Sequence, residues 1–422
     1  MLKAELKRIL KTRATWWLAA LALGISLLAA VSTVRQVTKY VEQADGSVEI
    51  VKGVGVYREK QARYAAIRGE VTPELIALAV ETHHRLLEQY GSDYGIPPEI
   101  SDQVLGPYSP VFTWIYQAFT DDTGAILTSA DITPEQARNY YAERVGTLER
   151  TLREQYEQTP QVMAYVLPRL EAEGANFTYS YGIGSTCTYT NLGLCTFLVT
   201  LLSVVLTAPI FSSDYMTGAD DILRCTRHGR RRLATVKLGA ALLVDMGVLL
   251  LGLGAFLTVV YLAFGFDDIT SAELLGIAFN PQQLNAMGVL GWIVLSGALS
   301  YFAMNCCTLF LSSRFRNPLL VLALALAVAL LPTVVRMCMP GGSFGHGFAA
   351  AEGNSLNWLR VCLPSGGVSL TGTMLDELAM LHFLWIGDCV TWSPYVLLAA
   401  AAVQIPLWLG WAVRAYCRHE AA

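Results

Sequence analysis

Six apolar runs, each close to the length that crosses a lipid bilayer, constrain the fold of this 422-residue chain more than any other feature. A helix needs about 20 consecutive apolar residues to cross the hydrocarbon core. The composition agrees, because 54% of the residues are hydrophobic and only 15% are charged, against about 25% charged in a soluble domain. The sequence therefore predicts an all-α polytopic membrane protein with six transmembrane helices, near residues 14–34, 192–211, 238–264, 286–311, 319–335 and 394–413.

Lysine and arginine side chains indicate how these helices are oriented, because cations collect at the cytoplasmic ends of membrane spans. Here they collect at the amino end, in the second-to-third and fourth-to-fifth connections, and in the tail. The members are Lys3, Lys7, Arg8, Lys11, Arg13, Arg224, Arg227, Arg230, Arg231, Arg232, Lys237, Arg314, Arg316, Arg414 and Arg418. The other connections are acidic or neutral, apart from Arg336 and Arg360. Both termini are therefore expected in the cytoplasm.

Residues 1–13 are expected to form a cytoplasmic, interfacial, amphipathic helix. Leu2, Leu6, Ile9 and Leu10 would share one face, with lysine and arginine on the opposite face, the pattern of a helix that lies along a membrane surface. A plain basic flank of the first span is the alternative.

The predicted topology divides the rest of the chain into three parts. Residues 14–34 form the first transmembrane helix, and residues 35–186 form an extracellular, mainly helical domain of ordinary domain size. Residues 187–422 contain transmembrane helices two to six, with a cytoplasmic coupling loop at 212–237 and an extracellular connection at 336–393.

Local signals support helices in the expected outer domain. Threonine followed by proline is a favourable helix start, since threonine caps free amides and proline needs no partner for its nitrogen. Such pairs begin at Thr72, Thr133 and Thr159, and Gln136 completes a capping box with Thr133. A short hairpin is also expected around the Asp45-Gly46 pair.

Sequence patterns give little indication of an active site. His83 and His84 are adjacent on a predicted helix, so they point apart and are interpreted as part of a solvated face. The sequence contains no phosphate-binding loop and no hydrolase or metalloprotease motif in a suitable context. The chain is therefore not expected to be an enzyme, to need a cofactor or metal, or to bind nucleic acid.

The last connection, 336–393, is long and contains apolar pieces too short to span a bilayer. These pieces fit either interfacial or re-entrant helices at the outer mouth, or a cap packed on the outer domain. Cys338 and Cys362 both lie in this connection, and a disulfide between them is a hypothesis that its outer location permits.

Asp245 is the clear ionisable residue at depth in a predicted span. An unpaired carboxylate in hydrocarbon is costly, so it is expected to face a cavity, a partner helix or an arginine. Two interpretations of Asp245 are equally open. It could act in a transport pathway or in gating, or it could make a purely structural hydrogen bond.

The connection from Phe211 to Lys237 contains the most specific pattern. An apolar span end is followed by an acidic residue, a glycine four residues later, an apolar pair and then cations, namely Asp214, Gly218, Ile222, Leu223, Arg230, Arg231 and Lys237. This order resembles the coupling segment of ATP-binding cassette (ABC) transporter permeases of the type-2 exporter class, although the family usually has glutamate where Asp214 stands. The six spans, the amino-terminal helix and the large segment after the first span are similar to that class as well.

The resemblance implies a coupling helix that docks on a separate ATPase subunit, and two permease chains, identical or different, that form one pathway among the membrane lipids. In the coupling segment, Asp214 would cap the local helix or pair with a cation on the partner, and Gly218 would allow close approach or a positive φ. It also implies a bacterial plasma membrane and the export or clearance of a hydrophobic or peptide-like substrate, such as an antimicrobial peptide or a lipid. The alternative for the segment is a plain topology anchor. The alternatives for the chain are a membrane-anchored extracellular binding or sensor scaffold, or a secondary transporter.

Overall fold

The computed structural model describes residues 1–42, 48–121, 124–157, 159–172, 176–225, 229–339, 354–370 and 373–418. The protein is mostly helical, at 75%. Within the described residues, six helices are long and apolar enough to cross a membrane. This count matches the sequence prediction and indicates a multi-pass membrane protein.

The chain begins with two helices separated by one residue. Helix α1 spans Leu2–Lys11 and α2 spans Arg13–Gln36. Thr12 between them is extended, with φ −73° and ψ 122°, and this interrupts the helical hydrogen bonding so that the chain can change direction. The expected amino-terminal helix and first span are therefore separate helices, and Ile9 of α1 is buried.

The segment between the first two spans, residues 37–187, is called the inserted segment below. It is mainly helical, with a hairpin and one further strand pair. Its helices and strands are β1 Thr38–Glu42, β2 Val48–Lys52, α3 Val54–Arg63, β3 Gly69–Glu70, α4 Pro73–Tyr90, α5 Pro98–Ile100, α6 Ser109–Ala118, α7 Pro134–Ala137, α8 Tyr140–Tyr156, α9 Pro160–Ala172 and β4 Thr178–Tyr179. Strands β1 and β2 pair antiparallel, as do β3 and β4.

The local predictions for this segment are confirmed where they can be seen. Thr72 accepts the amide of Leu75 at the start of α4, and Thr133 with Gln136 forms the capping box before α7. Helix α9 begins at the proline that follows Thr159. The two strands of the expected hairpin are present, while its Asp45-Gly46 turn lies outside the described residues.

The next six helices contain four of the six candidate spans. They are α10 Thr188–Thr207, α11 Pro209–Thr217, α12 Ala219–Arg224, α13 Arg231–Phe264, α14 Ala286–Arg314 and α15 Pro318–Met337, of which α10 and α11 form one continuous span. The expected coupling loop at 212–237 is therefore largely helical, because the second span runs on to Thr217 and the third already starts at Arg231. The sequence placed these ends wrongly because polar residues can continue a helix beyond its apolar part.

The final elements are α16 Asn354–Val361, α17 Met374–Ala379, β5 Phe383–Ile386, β6 Cys389–Trp392 and α18 Ser393–Arg418. Strands β5 and β6 form an antiparallel hairpin that the sequence did not predict. Its tight turn is possible because Gly387 adopts φ 58°. The hairpin packs on the inserted segment, since Tyr156 donates to the Leu381 carbonyl at 2.7 Å and Phe383 donates to the Tyr156 hydroxyl at 3.1 Å.

Residues 364–369 pass between the spans and are buried. The Gly367 amide donates to Ser300 Oγ at 3.1 Å, near the middle of α14, and Ser365 donates to the Val328 carbonyl of α15 at 3.0 Å. Both alternatives for the last connection are thus partly realised. One stretch re-enters the helical bundle, and the hairpin caps the inserted segment.

Two of the hydrophobic cores show how the inserted segment is held. The larger core runs from the spans into α8 and α9 through residues such as Phe256, Leu152 and Val166. A second core lies inside the inserted segment around Ile76 and Trp114 of α4 and α6. The inserted segment therefore has a core of its own and also packs directly on the ends of the spans.

Candidate functional site

The second candidate span ends in α11, which is followed by the short helix α12. We call these two helices the bracket. Pro209 begins α11, and Gly218 ends it with φ 71°, a backbone conformation that glycine adopts without steric cost. Helix α12 then runs from Ala219 to Arg224 with Asp220 and Asp221 in its first turn. Acidic groups are favourable there because the helix dipole is positive at that end. The predicted positive φ at Gly218 is confirmed.

Asp214, which belongs to α11, lies at the centre of a charge cluster. Its Oδ1 is 2.8 Å from Nη1 of Arg8, and its Oδ2 contacts Nζ of Lys237. We call these three residues the Asp214 triad. Asp214 is buried and Lys237 is 1% exposed, and the Lys237 ammonium also lies over the Phe211 ring. A buried carboxylate and ammonium need each other, because either one alone would carry a desolvation penalty of several kcal/mol.

The triad corrects the role that the sequence suggested for Asp214. The residue was expected to cap the local helix or to pair with a cation on a partner protein. Its two oxygens instead join α11 to α1 through Arg8 and to α13 through Lys237. Asp214 and Lys237 thus bind each other within the chain, and both are shielded from a partner.

Helix α1 packs firmly against the bracket. Ile9 belongs to the same buried cluster as Phe211, Tyr215 and Leu233. Arg8, which the sequence places on the polar face of α1, binds Asp214 of α11 while 40% of its side chain stays exposed. Its role was missed because no spacing distinguishes Arg8 from the other amino-terminal cations, and its partner is 206 residues away.

Other predicted coupling residues face outwards. Ile222 is 76% exposed and Met216 is 66% exposed at the tip of the bracket, while Leu223 is half-buried against the cluster around Phe211. Arg230 and Arg231 are exposed. The structure therefore divides the predicted set into a buried base, formed by Asp214 and Lys237, and an exposed tip led by Ile222.

Asp245 lies fully buried on α13, facing α10 and α14. Ser203 donates to its Oδ1 at 2.8 Å, and Thr207 Oγ1 is 3.3 Å from the same oxygen. The Tyr301 hydroxyl is 2.7 Å from Ser203 Oγ and 2.8 Å from the Asp245 carbonyl. Of the three surroundings expected for Asp245, the structure shows partner helices. This network of hydroxyl groups satisfies the carboxylate and favours the structural interpretation.

A second ion cluster, which the sequence did not predict, lies in the last connection. Arg360 Nη1 and Glu377 Oε1 are 2.6 Å apart, and both side chains are buried. His382 lies 3.5 Å from the other glutamate oxygen, to which Ser393 also donates. Burial by itself raises the pKa of Glu377, but the Arg360 charge and His382 outweigh it and hold this pKa well below its usual range. Arg360 was one of two cations that did not fit the cytoplasmic distribution of lysine and arginine. That departure was the sequence signal for a buried acidic partner.

His83 is buried, so its interpretation as part of a solvated face is wrong. Its Nε2 is 2.6 Å from Asp93 Oδ1, and its Nδ1 is 2.9 Å from Ser129 Oγ. Ser129, His83 and Asp93 are the residue types of a catalytic triad and are hydrogen-bonded in the same sequence. Here, however, Ser129 is buried and the Asp93 side chain is 59% exposed. This arrangement shields the would-be nucleophile and acts as a link between loops.

The predicted Cys338–Cys362 disulfide is absent, because both residues are exposed free thiols. The described residues contain no group of three or more histidine, cysteine or acidic side chains that could hold a metal ion.

Comparisons with known proteins do not identify a family: no family model, curated protein or solved structure significantly matches this chain.

Proposed function

We propose that this chain is the membrane-spanning permease subunit of an ABC transporter of the type-2 exporter class, working with a separate ATPase subunit. The observation that carries the proposal is the bracket of α11 and α12, which exposes Ile222 on a short helix next to the buried pair of Asp214 and Lys237. A permease without a nucleotide site must receive conformational work through a contact of this kind.

The triad gives the bracket the stiffness that such a contact requires. Force applied at the tip reaches Asp214, which is bound to α1 on one side and to α13 on the other. A buried, hydrogen-bonded ion cluster resists distortion, because separating its charges exposes them unpaired in a medium of low polarity. The bracket would therefore move as one piece with α1 and α13 and would not bend at its base.

The tip has the character of a docking surface. Ile222 and Met216 expose apolar side chains, and the short helix also exposes Asp221. An apolar side chain inserted in a groove supplies most of the affinity at such contacts, and surrounding charges set the register. In this proposal Ile222 fills a pocket on the ATPase, and Arg230 and Arg231 lie near the anionic inner leaflet.

We also propose how the chain is oriented in the membrane and where it works. Both termini and the bracket lie in the cytoplasm of a bacterial cell, and the inserted segment lies outside. Two permease chains line one pathway, and the cargo is a hydrophobic or peptide-like molecule, such as an antimicrobial peptide or a lipid. The cation distribution and the similarity of the bracket sequence to the exporter class support these points.

Affinity purification from the native cells tests the partner. The wild-type chain should co-purify with an ATP-binding cassette subunit, and Ile222→Asp should lose that subunit because a charge cannot enter an apolar groove. Ile222→Leu is the matched control and should retain it. Asp214 is left intact, since its substitution would disturb the fold itself. Retention of the full ATPase by Ile222→Asp would show that the tip is not the contact.

Native thiols test the orientation without any substitution. Cys225 in the bracket and Cys389 in the β5–β6 hairpin are both exposed and free. A membrane-impermeant maleimide applied to intact cells should label Cys389 and spare Cys225, with both labelled after permeabilisation. Labelling of Cys225 alone in intact cells would reverse the proposed topology.

A further inference from the structure

We infer that the inserted segment contains a binding site for a small organic anion, a carboxylate or phosphate joined to an apolar or aromatic group. The site is a cavity of about 730 Å³ between α3, α4, the stretch 98–106 and α6, called the polar cavity below. Its volume lies within the roughly 300–1,000 Å³ of small-molecule sites. The inference is independent of any ATPase partner.

Three cations line the polar cavity. Lys39, Lys60 and Arg63 line it, together with the carboxylates of Asp93 and Asp102. Both carboxylates already have partners, since Asp102 pairs with Arg63 and Asp93 with His83.

Lys39 and Arg63 also have anionic partners. Lys39 Nζ lies 2.5 Å from Glu59 Oε1, and Arg63 Nη2 lies 3.4 Å from the same oxygen. Lys60 differs from both. Within the described parts of the chain it makes no hydrogen bond and no direct ion pair, although it is half-buried. Burial and the neighbouring Arg63 charge lower the pKa of Lys60. An anion placed beside this ammonium would relieve both effects.

The lining also has apolar and aromatic members. These are Leu105, Phe112 and Pro98. The position of Phe112 is set by the His83 ring, whose centroid lies 5.5 Å away. His83 is itself held by Asp93 and Ser129, so this part of the lining is fixed before any ligand arrives. A pre-formed lining reduces the ordering cost of binding.

The charged and the apolar members of the lining together define the chemistry of the ligand. A carboxylate or phosphate would bind Lys60, with the hydroxyls of Thr38 and Ser101 within the same cavity. The apolar part would then lie against Phe112 and Leu105. A neutral molecule would bring no anion to Lys60, whose ammonium is near only the carboxylates of Glu59 and Asp102 among the described residues, which Lys39 and Arg63 already bind. We therefore expect the site to discriminate against neutral molecules.

Calorimetric titration of the full-length protein in nanodiscs of zwitterionic lipid tests the site. Phenyl phosphate and benzoate serve as probes, phenol as the neutral comparator, and inorganic phosphate as the anion without a ring. We expect binding of phenyl phosphate or benzoate, and weaker binding of phenol and of inorganic phosphate. Comparison of the two probes distinguishes a phosphate site from a carboxylate site. Binding of phenol as tight as that of both anions, or no binding of either anion, would overturn the inference.

Substitutions locate the binding in the polar cavity. Lys60→Met should weaken the preferred probe by roughly tenfold to a hundredfold, the usual loss for a partly buried charged hydrogen bond. Lys60→Arg should retain most of the affinity, and Lys52→Met, an exposed lysine on β2 outside the cavity, should leave it unchanged. Ser101→Trp fills the cavity without removing a charge and should abolish binding. Unchanged affinity in both Lys60→Met and Ser101→Trp would place the anion elsewhere.

Discussion

Arg360 and Glu377 form an ion pair that is sealed from solvent, with Nη1 and Oε1 2.6 Å apart and side chains 1% and 0% exposed. The pair joins α16 to α17, and Ser393 at the start of α18 donates to the same carboxylate. The last connection is therefore tied to the sixth candidate span by charge as well as by apolar contact.

Removing one partner of this pair should destabilise the protein strongly. We expect Arg360→Met to lower the free energy of unfolding by about 3–5 kcal/mol, because Glu377 would remain buried without a counter-charge. The double variant Arg360→Met with Glu377→Met should be less destabilised than this single variant. Thermal unfolding in nanodiscs measures the difference. Equal losses in the single and double variants would show that the charges are not coupled.

The same pair should make stability depend on pH in the acidic range. The folded pKa of Glu377 is lowered from its ordinary value of 4.5, so the folded state favours the ionised form. Its contribution is fully present above pH 4.5 and is lost as the pH falls towards the folded pKa. Thermal unfolding temperatures measured across this range should decline for the wild type. The decline should be shallower in the double Met variant, and parallel curves would contradict the assignment.

Gly367 should tolerate no side chain. A Cβ there would lie 2.4 Å from Ser296 Oγ and 2.6 Å from Ser300 Oγ, with Leu397 also in contact. Gly367→Ala should therefore cost about 1–3 kcal/mol through overpacking, and Ser296→Ala in the same chain should recover part of that loss. Gly410→Ala is the matched control, since nothing lies within 4 Å of its Cβ position. A harmless Gly367→Ala would show that the re-entrant stretch packs loosely.

The Asp214 triad gives a further stability prediction. Asp214→Asn leaves Lys237 buried without an anion and should lower the yield of folded protein and its unfolding temperature, with a cost of about 3–5 kcal/mol. Asp214→Asn combined with Lys237→Met should be milder. Arg8→Ala should cost less than either single loss in the buried pair, because the Arg8 side chain is 40% exposed. Detergent-solubilised thermal unfolding ranks the variants, and a mild effect of Asp214→Asn alone would contradict the structure.

Features that depend on residues close together along the chain were predicted well from the sequence. The six runs, the capped starts at Thr72 and Thr133, and the left-handed Gly218 are all local properties. Burial of His83 could not be predicted, because Ser129 approaches it from 46 residues away. The β5–β6 hairpin was missed for a related reason. Each strand has only four residues, and β5 is apolar throughout, so no alternation marks it as a strand. Its packing on Tyr156 decides the outcome.

The candidate site was predicted in part. The residues of the bracket stand out by their order, but the partners of Asp214 do not, since any of several cations could have reached it. Only the fold distinguishes Arg8 and Lys237 from the exposed Arg230 and Arg231. Asp245 was correctly noted as a buried carboxylate, and the hydroxyl groups of Ser203 and Thr207 explain how it is accommodated.

The separation of the triad members along the chain imposes an order on biosynthesis. Arg8 is made early, Asp214 follows 206 residues later, and Lys237 comes 23 residues after that. At roughly 5–20 residues per second, ribosomes need on the order of 10–40 s between Arg8 and Asp214. During this interval the nascent helix α1 cannot make its contact with Asp214. The triad can form only once Lys237, near the start of the third candidate span, has been synthesised.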